Sequence, residues 1–133
     1  VGKSDTATIK KEIQAVLRQI VMKRDKGCIL RMERCGRELE APGVVWQADH
    51  LITRANSATY ADSRLVVCVC SGCHFWKKYH KEQYDAMVKE ILPVHIVKLW
   101  DICEKDSWRP IKKGMYDWQL ALTVLKQELA QLQ

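Results

Sequence analysis

The sequence lacks any apolar run long enough to cross a bilayer, and its N-terminus has no apolar signal-peptide core. It also contains no internal repeat and no low-complexity segment. These absences favour a soluble, cytoplasmic protein without a membrane partner. Because the first residue is Val1 rather than Met, we expect a trimmed form or a fragment of a longer protein.

The composition is that of a folded, basic chain. Its 133 residues are the length of one domain with a moderate core. Hydrophobic residues make up 47% of the chain, which excludes wholesale disorder. The formal net charge is +6. A basic balance favours a polyanionic partner, with nucleic acid first, although many basic proteins bind none.

Helical patterns occupy both ends of the chain. In the N-terminal part, apolar residues recur on one helical face: Ile9, Ile13, Val16, Leu17, Ile20 and Val21. They predict a helix over residues 9–24, after a frayed polar tail over residues 1–8. A helical face over residues 94–103 and a leucine-rich stripe from Gly114 predict a helical C-terminal part over residues 94–133.

Between them, residues 44–92 have the pattern of two strands followed by a helix. Residues 44–52 and 65–69 are β-prone, and a polar loop separates them. A helical pattern then runs from His74 to about Leu92, where Pro93 ends it. The order predicts a ββα unit inside an α+β fold.

The cysteines indicate a metal site. The chain has six of them and no secretory signal, which argues against a disulfide framework. Cys70 and Cys73 form a C-x2-C pair, the unit that recurs in structural zinc sites. We predict one structural zinc bound by Cys28, Cys35, Cys70 and Cys73. Cys68 is an alternative ligand, Cys103 is expected to be a core thiol, and four buried thiols without metal are the competing interpretation.

Asp49 and His50 lie next to each other in or at the end of the first predicted strand. Neighbouring strand residues point in opposite directions, so one side chain can bind a metal while the other faces the substrate. An isolated Asp-His pair is more often a surface pair. Its position between the cysteine pairs, with His74 directly after Cys73, favours a catalytic role.

The order of these motifs resembles that of the HNH nucleases of the ββα-metal class. It consists of two early cysteines, Asp-His, and Cys-x-x-Cys-His with Lys77 and Lys78 after it. The chain is similar to the branch with a zinc-stapled fold, as in phage endonuclease VII, and to the NinG (Rap) recombination proteins of lambdoid phages. The features shared with the NinG proteins, over roughly residues 12–132, include Lys23-Arg24-Asp25, Trp46 and Trp108.

The resemblance implies a single HNH endonuclease domain over residues 1–133, with a zinc-stapled ββα core, or His-Me finger, over residues 28–92. It implies that His50 is the general base and that Asp49 and His74 bind a catalytic divalent cation, Mg²⁺ or Mn²⁺. The implied substrate is branched DNA such as a Holliday junction, cut by a homodimer in the cytoplasm of a bacterial host. Two alternatives stay open: a less selective HNH enzyme that nicks or cuts duplex DNA, and a zinc-dependent DNA-binding module without catalysis.

The chain departs from the family pattern at its first cysteine pair and at His74. Six residues separate Cys28 and Cys35 where relatives usually have two, and NinG-like relatives and endonuclease VII carry Asn in place of His74. Basic residues near the motifs are candidates for phosphate contacts, although each is explained at least as well as solvated charge. These candidates are Arg54, Arg64, Lys77 and Lys78.

Overall fold

The computed structural model describes residues 3–31, 45–105 and 114–132. Over these ranges the chain is mostly helical with one two-stranded antiparallel sheet, which is an α+β architecture. The elements in chain order are α1 (Lys3–Asp25), β1 (Trp46–His50), a 3-10 turn (Ser63–Leu65), β2 (Val66–Cys70), α2 (Ser71–Tyr79), α3 (Lys81–Ile91), α4 (Val94–Lys105) and α5 (Met115–Gln131). Two residues noted in the sequence, Cys35 and Trp108, lie outside the described residues. None of the helices in these ranges is long and apolar enough to span a membrane.

The apolar face of α1 packs against the sheet and α5. Four residues of this face are fully buried, at the spacing that the sequence predicted: Ile13, Leu17, Ile20 and Val21. The helix begins at Lys3, so the frayed tail expected over residues 1–8 is wrong for residues 3–8. Asp5 lies in the first turn, where the partial positive charge of a helix N-terminus stabilises a carboxylate.

The C-terminus of α1 is attached to β2 by an Arg-Asp pair. The guanidinium of Arg24 donates hydrogen bonds to the carbonyl oxygens of Ser63 and Val66, at 2.8 and 2.6 Å. The carboxylate of Asp25 accepts one from the backbone N–H of Cys68 at 2.9 Å, and it also pairs with Arg24. These bonds satisfy backbone groups of the 3-10 turn and of the β2 edge that does not pair with β1.

The end of β1 carries two of the three candidate catalytic residues, Asp49 and His50. The register of the sheet pairs Trp46 with Cys70 and His50 with Val66, and all five residues of β2 are buried. Because neighbouring strand residues point in opposite directions, Asp49 and His50 project to opposite sides. Accordingly, Asp49 contacts side chains of α2 and α3, whereas His50 lies near α1.

The helix predicted from His74 to Leu92 is two helices. His80 has φ −137° and ψ 44°, which are not helical values, and it separates α2 from α3. The first of them also begins earlier than predicted, at Ser71, directly after β2. Beyond this break, α3 buries Tyr84 and Val88 completely in the core.

Candidate functional site

Three cysteines form a cluster at the junction of α1, β2 and α2. The sulfur atoms of Cys28, Cys70 and Cys73 all lie within 4.8 Å of one another, and all three residues are buried. Sulfur atoms bound to one tetrahedral zinc are about 3.8 Å apart, because each bond is about 2.3 Å long. This cysteine cluster could therefore hold a metal ion.

Local backbone structure positions each thiol of the cluster. After α1, Lys26 and Gly27 adopt positive φ values of 56° and 129°, which turn the chain sharply into Cys28. The backbone N–H of Ile29 then bonds to the carbonyl oxygen of Cys68, so this turn is attached to β2. Cys70 is the N-cap of α2, and its sulfur accepts a hydrogen bond from the backbone N–H of Cys73 at 3.3 Å.

The remaining cysteines differ in their surroundings. Cys35, the expected fourth ligand, lies outside the described residues. Cys68 is fully buried but does not belong to the cluster, and burial raises the pKa of its thiol to about 12. Cys103 lies half-buried against the core on α4. Within the described ranges, the structure thus brings together three of the four predicted zinc ligands.

Asp49 is a buried carboxylate with three neighbours. Its side chain is 5% exposed. The hydroxyl of Tyr84 donates a hydrogen bond to Oδ2 at 2.6 Å, and Lys77 Nζ lies 2.9 Å from Oδ2 and 3.1 Å from Oδ1. His74 Nδ1 lies 3.4 Å from Oδ1. Burial, together with the charge of Asp49, raises the pKa of Tyr84, so its hydroxyl stays a donor.

His50 has the geometry of a neutral base. Its Nε2 atom lies 2.9 Å from the carbonyl oxygen of Tyr60 and 3.5 Å from the side-chain nitrogen of Gln14. A carbonyl oxygen only accepts, so Nε2 carries the proton, and Nδ1 of the neutral ring keeps its lone pair. Burial lowers the pKa of His50 below 6.5, against the opposing effect of the Tyr60 hydrogen bond.

A cavity of about 220 Å³ joins these groups; Asp49, His50 and His74 line it together with Gln47, Ala48, Thr53 and Arg54. A second cavity of about 490 Å³ shares Gln47, Asp49 and His74 with the first and extends along α2. The imidazole of His74 is 47% exposed, so it is accessible from solvent. The three predicted catalytic residues therefore line one cavity, at which His74 is exposed to solvent.

The four basic candidates for phosphate contacts separate into three groups. Arg54 lines the smaller cavity and Lys78 the larger one, so both lie beside the site. Lys77 also lines the larger cavity, but its ammonium is bonded to Asp49. Arg64 pairs with Asp62 at 2.7 Å and lines a separate cavity against α5. The structure thus does not bring Arg64 to the site.

Sequence reasoning missed two side chains that contact the site, Tyr84 and Gln14. Neither residue is among the candidate site residues that the sequence indicates. Tyr84 contacts Asp49 across 35 residues, and Gln14 lies near His50 across 36 residues. No local pattern signals such contacts, because they exist only after the helices pack on the sheet.

The chain matches no family model, and no curated protein or solved structure was found to be similar to it. The function is therefore argued from the side chains of the site. The relevant observations are a buried neutral imidazole, a buried carboxylate beside a second imidazole, and a nearby cysteine cluster.

Proposed function

We propose that the protein is a metal-dependent DNA endonuclease of the HNH type, which hydrolyses phosphodiester bonds. The observation that carries the proposal is the adjacent pair Asp49 and His50. One strand presents a neutral imidazole whose Nδ1 keeps its lone pair and, on its other side, a carboxylate 3.4 Å from His74. Hydrolysis of a phosphodiester needs a general base and a centre that stabilises the departing oxygen, and these two groups supply the necessary residues.

His50 acts as the general base in this proposal. Its Nδ1 accepts a proton from the water that attacks phosphorus, and the Tyr60 carbonyl stabilises the positive charge that then forms on the ring. Burial keeps the ring neutral near pH 7, which is the form that can accept a proton. The backbone bond to Tyr60 also fixes the orientation of the ring without using a further side chain.

Asp49 and His74 fit a divalent cation as an oxygen and a nitrogen ligand. Their facing atoms are 3.4 Å apart, and adjacent ligands of an octahedral ion with bonds of about 2.1 Å lie about 3 Å apart. Tyr84 anchors Oδ2 of Asp49, so Oδ1 is the oxygen available to a metal. A bound Mg²⁺ or Mn²⁺ would neutralise the scissile phosphate and the leaving 3′-oxygen. The imidazole ligand favours Mn²⁺ over Mg²⁺.

The ammonium of Lys77 competes with such a cation for Asp49. It is bonded to both carboxylate oxygens, and its side chain is only 17% exposed. This pair also supports the alternative of a non-catalytic DNA-binding module, in which Asp49, Lys77 and Tyr84 form a purely structural network. The two functions differ in whether Asp49 binds a metal ion, which can be measured directly.

The cysteine cluster supplies the structural part of the proposal. With Cys35 as the proposed fourth ligand, the three cysteines of the cluster would supply four thiolates, the ligand set of a structural zinc. Such an ion would join the end of α1 to β2 and α2, the elements that hold the site. In this proposal zinc has no role in the reaction itself.

The proposed substrate is branched DNA, such as a four-way recombination junction. The net charge of +6 supports a DNA partner, and Arg54 and Lys78 beside the site suit its phosphates. The preference for branched DNA comes from the resemblance to junction-cutting nucleases. Cutting both strands of a junction requires two sites, so the proposed active form is a homodimer.

The test compares cleavage of a four-way junction with cleavage of a linear duplex of the same sequence, in EDTA, Mg²⁺ and Mn²⁺. We expect metal-dependent cleavage that is faster on the junction than on the duplex. Asp49→Asn should lose this cleavage while it keeps its bound zinc. Equal rates on both substrates favour a less selective HNH enzyme. DNA binding without cleavage in any metal contradicts the enzyme and favours the non-catalytic module.

A further inference from the structure

Two aromatic side chains project into solvent from α2, next to the proposed catalytic site. Phe75 and Tyr79 are 64% and 66% exposed, and their ring centroids are 5.5 Å apart in an edge-to-face arrangement. They lie one helical turn apart, so both are on the same face of the helix. Phe75 is the only phenylalanine of the chain, and phenylalanine is usually buried. This aromatic pair therefore contributes to a surface rather than to the core.

The aromatic pair adjoins the cavity that holds the proposed metal ligands. Phe75 lines the 490 Å³ cavity together with Asp49 and His74. Its other charged lining residues are all lysines, namely Lys77, Lys78 and Lys81.

These lysines give the cavity its charge complementarity to a nucleic acid. Lys77 is bonded to Asp49, and Lys81 to Asp85. Lys78 has no acidic partner among the described residues, and its Nζ lies 5.8 Å from the centre of the Tyr79 ring. A cation beside an exposed aromatic surface is the combination that binds a phosphate and its neighbouring base.

We propose that the aromatic pair is a stacking subsite for an unpaired nucleobase, with Lys78 binding a phosphate of the same strand. An unpaired base is required because, in a continuous duplex, neighbouring base pairs cover both faces of each base. The subsite rests on the proposed function and deepens it: a strand whose base stacks on Phe75 passes the cavity that contains Asp49 and His74. It selects DNA in which a nucleotide beside the cut is unpaired or leaves the base stack.

The test measures DNA binding separately from cleavage. Without added divalent cation and in a His50→Ala background, fluorescence anisotropy compares a labelled single-stranded oligothymidylate with a blunt duplex of equal length. We expect Phe75→Ala to weaken single-strand binding about tenfold while duplex binding changes by less than about twofold. Phe75→Leu keeps an apolar side chain without a π-face and should show the same loss, whereas Phe75→Trp should retain binding. Tyr116→Ala removes an 83% exposed aromatic from α5 and is the matched control, expected to bind like the parent.

Three outcomes overturn the subsite. In the first, Phe75→Ala binds single-stranded DNA as tightly as the parent. In the second, Phe75→Ala loses as much affinity for the duplex as for single-stranded DNA, which indicates a general DNA contact. Sedimentation can instead show a dimer that Phe75→Ala dissociates, which makes the pair a contact between copies. The result is independent of catalysis: if wild type cuts no DNA and Phe75→Ala still loses single-strand binding, the nuclease proposal fails and the subsite stands. If His50-dependent cleavage is found and Phe75→Ala binds normally, the nuclease stands and the subsite fails.

Discussion

The Nε2 atom of His50 lies 2.9 Å from the carbonyl oxygen of Tyr60 and so carries the ring proton. This one contact determines which nitrogen can act as a base, because Nδ1 of the neutral ring keeps its lone pair. The contact is buried, so water does not replace it. The neutral form of His50 therefore matters twice: it is the form that the buried site favours, and it is the form that can accept a proton in the proposed reaction.

The pH dependence of stability tests the state of His50. An unfolded histidine has a pKa near 6.5, and burial lowers that of folded His50. Between the two values the unfolded state binds more protons, so the contribution of His50 is complete above about pH 6.5 and is lost as pH falls toward the folded pKa. Urea unfolding of wild type and His50→Gln, at about pH 7.5 and about pH 5.5, should show a steeper loss for wild type. Parallel losses would mean that the pKa of His50 is not lowered.

The proposed competition between Lys77 and a divalent cation for Asp49 predicts opposite effects of one substitution on stability and on metal binding. Lys77→Ala leaves the Asp49 carboxylate without its cation, which should cost about 3 kcal/mol of folding free energy when no divalent cation is added. Binding of Mn²⁺, followed by electron paramagnetic resonance, should strengthen about tenfold, because an ammonium no longer occupies the carboxylate. Mn²⁺ should therefore restore the lost stability.

The matched control for this experiment is Lys89→Ala. Lys89 pairs with Asp101 on the surface, where their charged atoms lie 3.3 Å apart. Both side chains of this pair are far more exposed than those of Lys77 and Asp49. We expect a change of stability below about 1 kcal/mol and no change in Mn²⁺ affinity. If Lys77→Ala binds Mn²⁺ no better than this control, Asp49 is not a metal ligand that Lys77 competes for.

The hydroxyl of Tyr84 holds Asp49 in place, since it donates the shortest of that carboxylate's bonds, at 2.6 Å. Tyr84→Phe keeps the ring and removes this donor, which should lower stability by about 2 kcal/mol, the magnitude of a hydrogen bond to a charged group. Mn²⁺ affinity and cleavage should fall together, because Oδ1 loses its fixed orientation. Tyr116→Phe, at an exposed position, should leave stability, Mn²⁺ affinity and cleavage unchanged. A stable Tyr84→Phe with full activity would remove Tyr84 from the site.

The cysteine cluster predicts which thiols are needed for bound zinc. Cys73→Ser should abolish bound zinc, measured by atomic emission, and should lower the unfolding temperature, because a structural zinc contributes folding free energy. Cys68→Ser and Cys103→Ser should keep one zinc per chain, since neither residue belongs to the cluster. Cys35→Ser should lose zinc if Cys35 is the fourth ligand. Zinc loss in Cys68→Ser with zinc retained in Cys35→Ser would assign the fourth ligand to Cys68 instead.

Local sequence patterns predicted much of the scaffold. The spacing of Ile13, Leu17 and Ile20 predicts the buried face of α1, because a helix repeats every 3.6 residues. The β-prone segments correspond to the paired strands β1 and β2. Cys70 and Cys73 lie together because a C-x2-C segment is itself a turn, and the strand pairing and the turn after α1 bring in Cys28.

Contacts between distant elements were not predictable from the pattern. The bond between Lys77 and Asp49 spans 28 residues and makes Lys77 the ion-pair partner of that carboxylate rather than a side chain available to a phosphate. The break at His80 has no proline or glycine to signal it, yet it allows α3 to bring Tyr84 to Asp49. Arg64 is near Cys70 in sequence but pairs with Asp62 on another side of the molecule.

The rate of junction cleavage by His50→Ala tests the central claim most directly. His95→Ala is the matched control, because His95 is an exposed histidine of α4 outside both cavities of the site. In Mn²⁺, with zinc content and folding verified, we predict that His50→Ala cuts about 1,000-fold more slowly than wild type, the typical effect of removing a general base. His95→Ala should cut at the wild-type rate. Cleavage by His50→Ala at the wild-type rate, or no cleavage by wild type in any metal, would contradict the account.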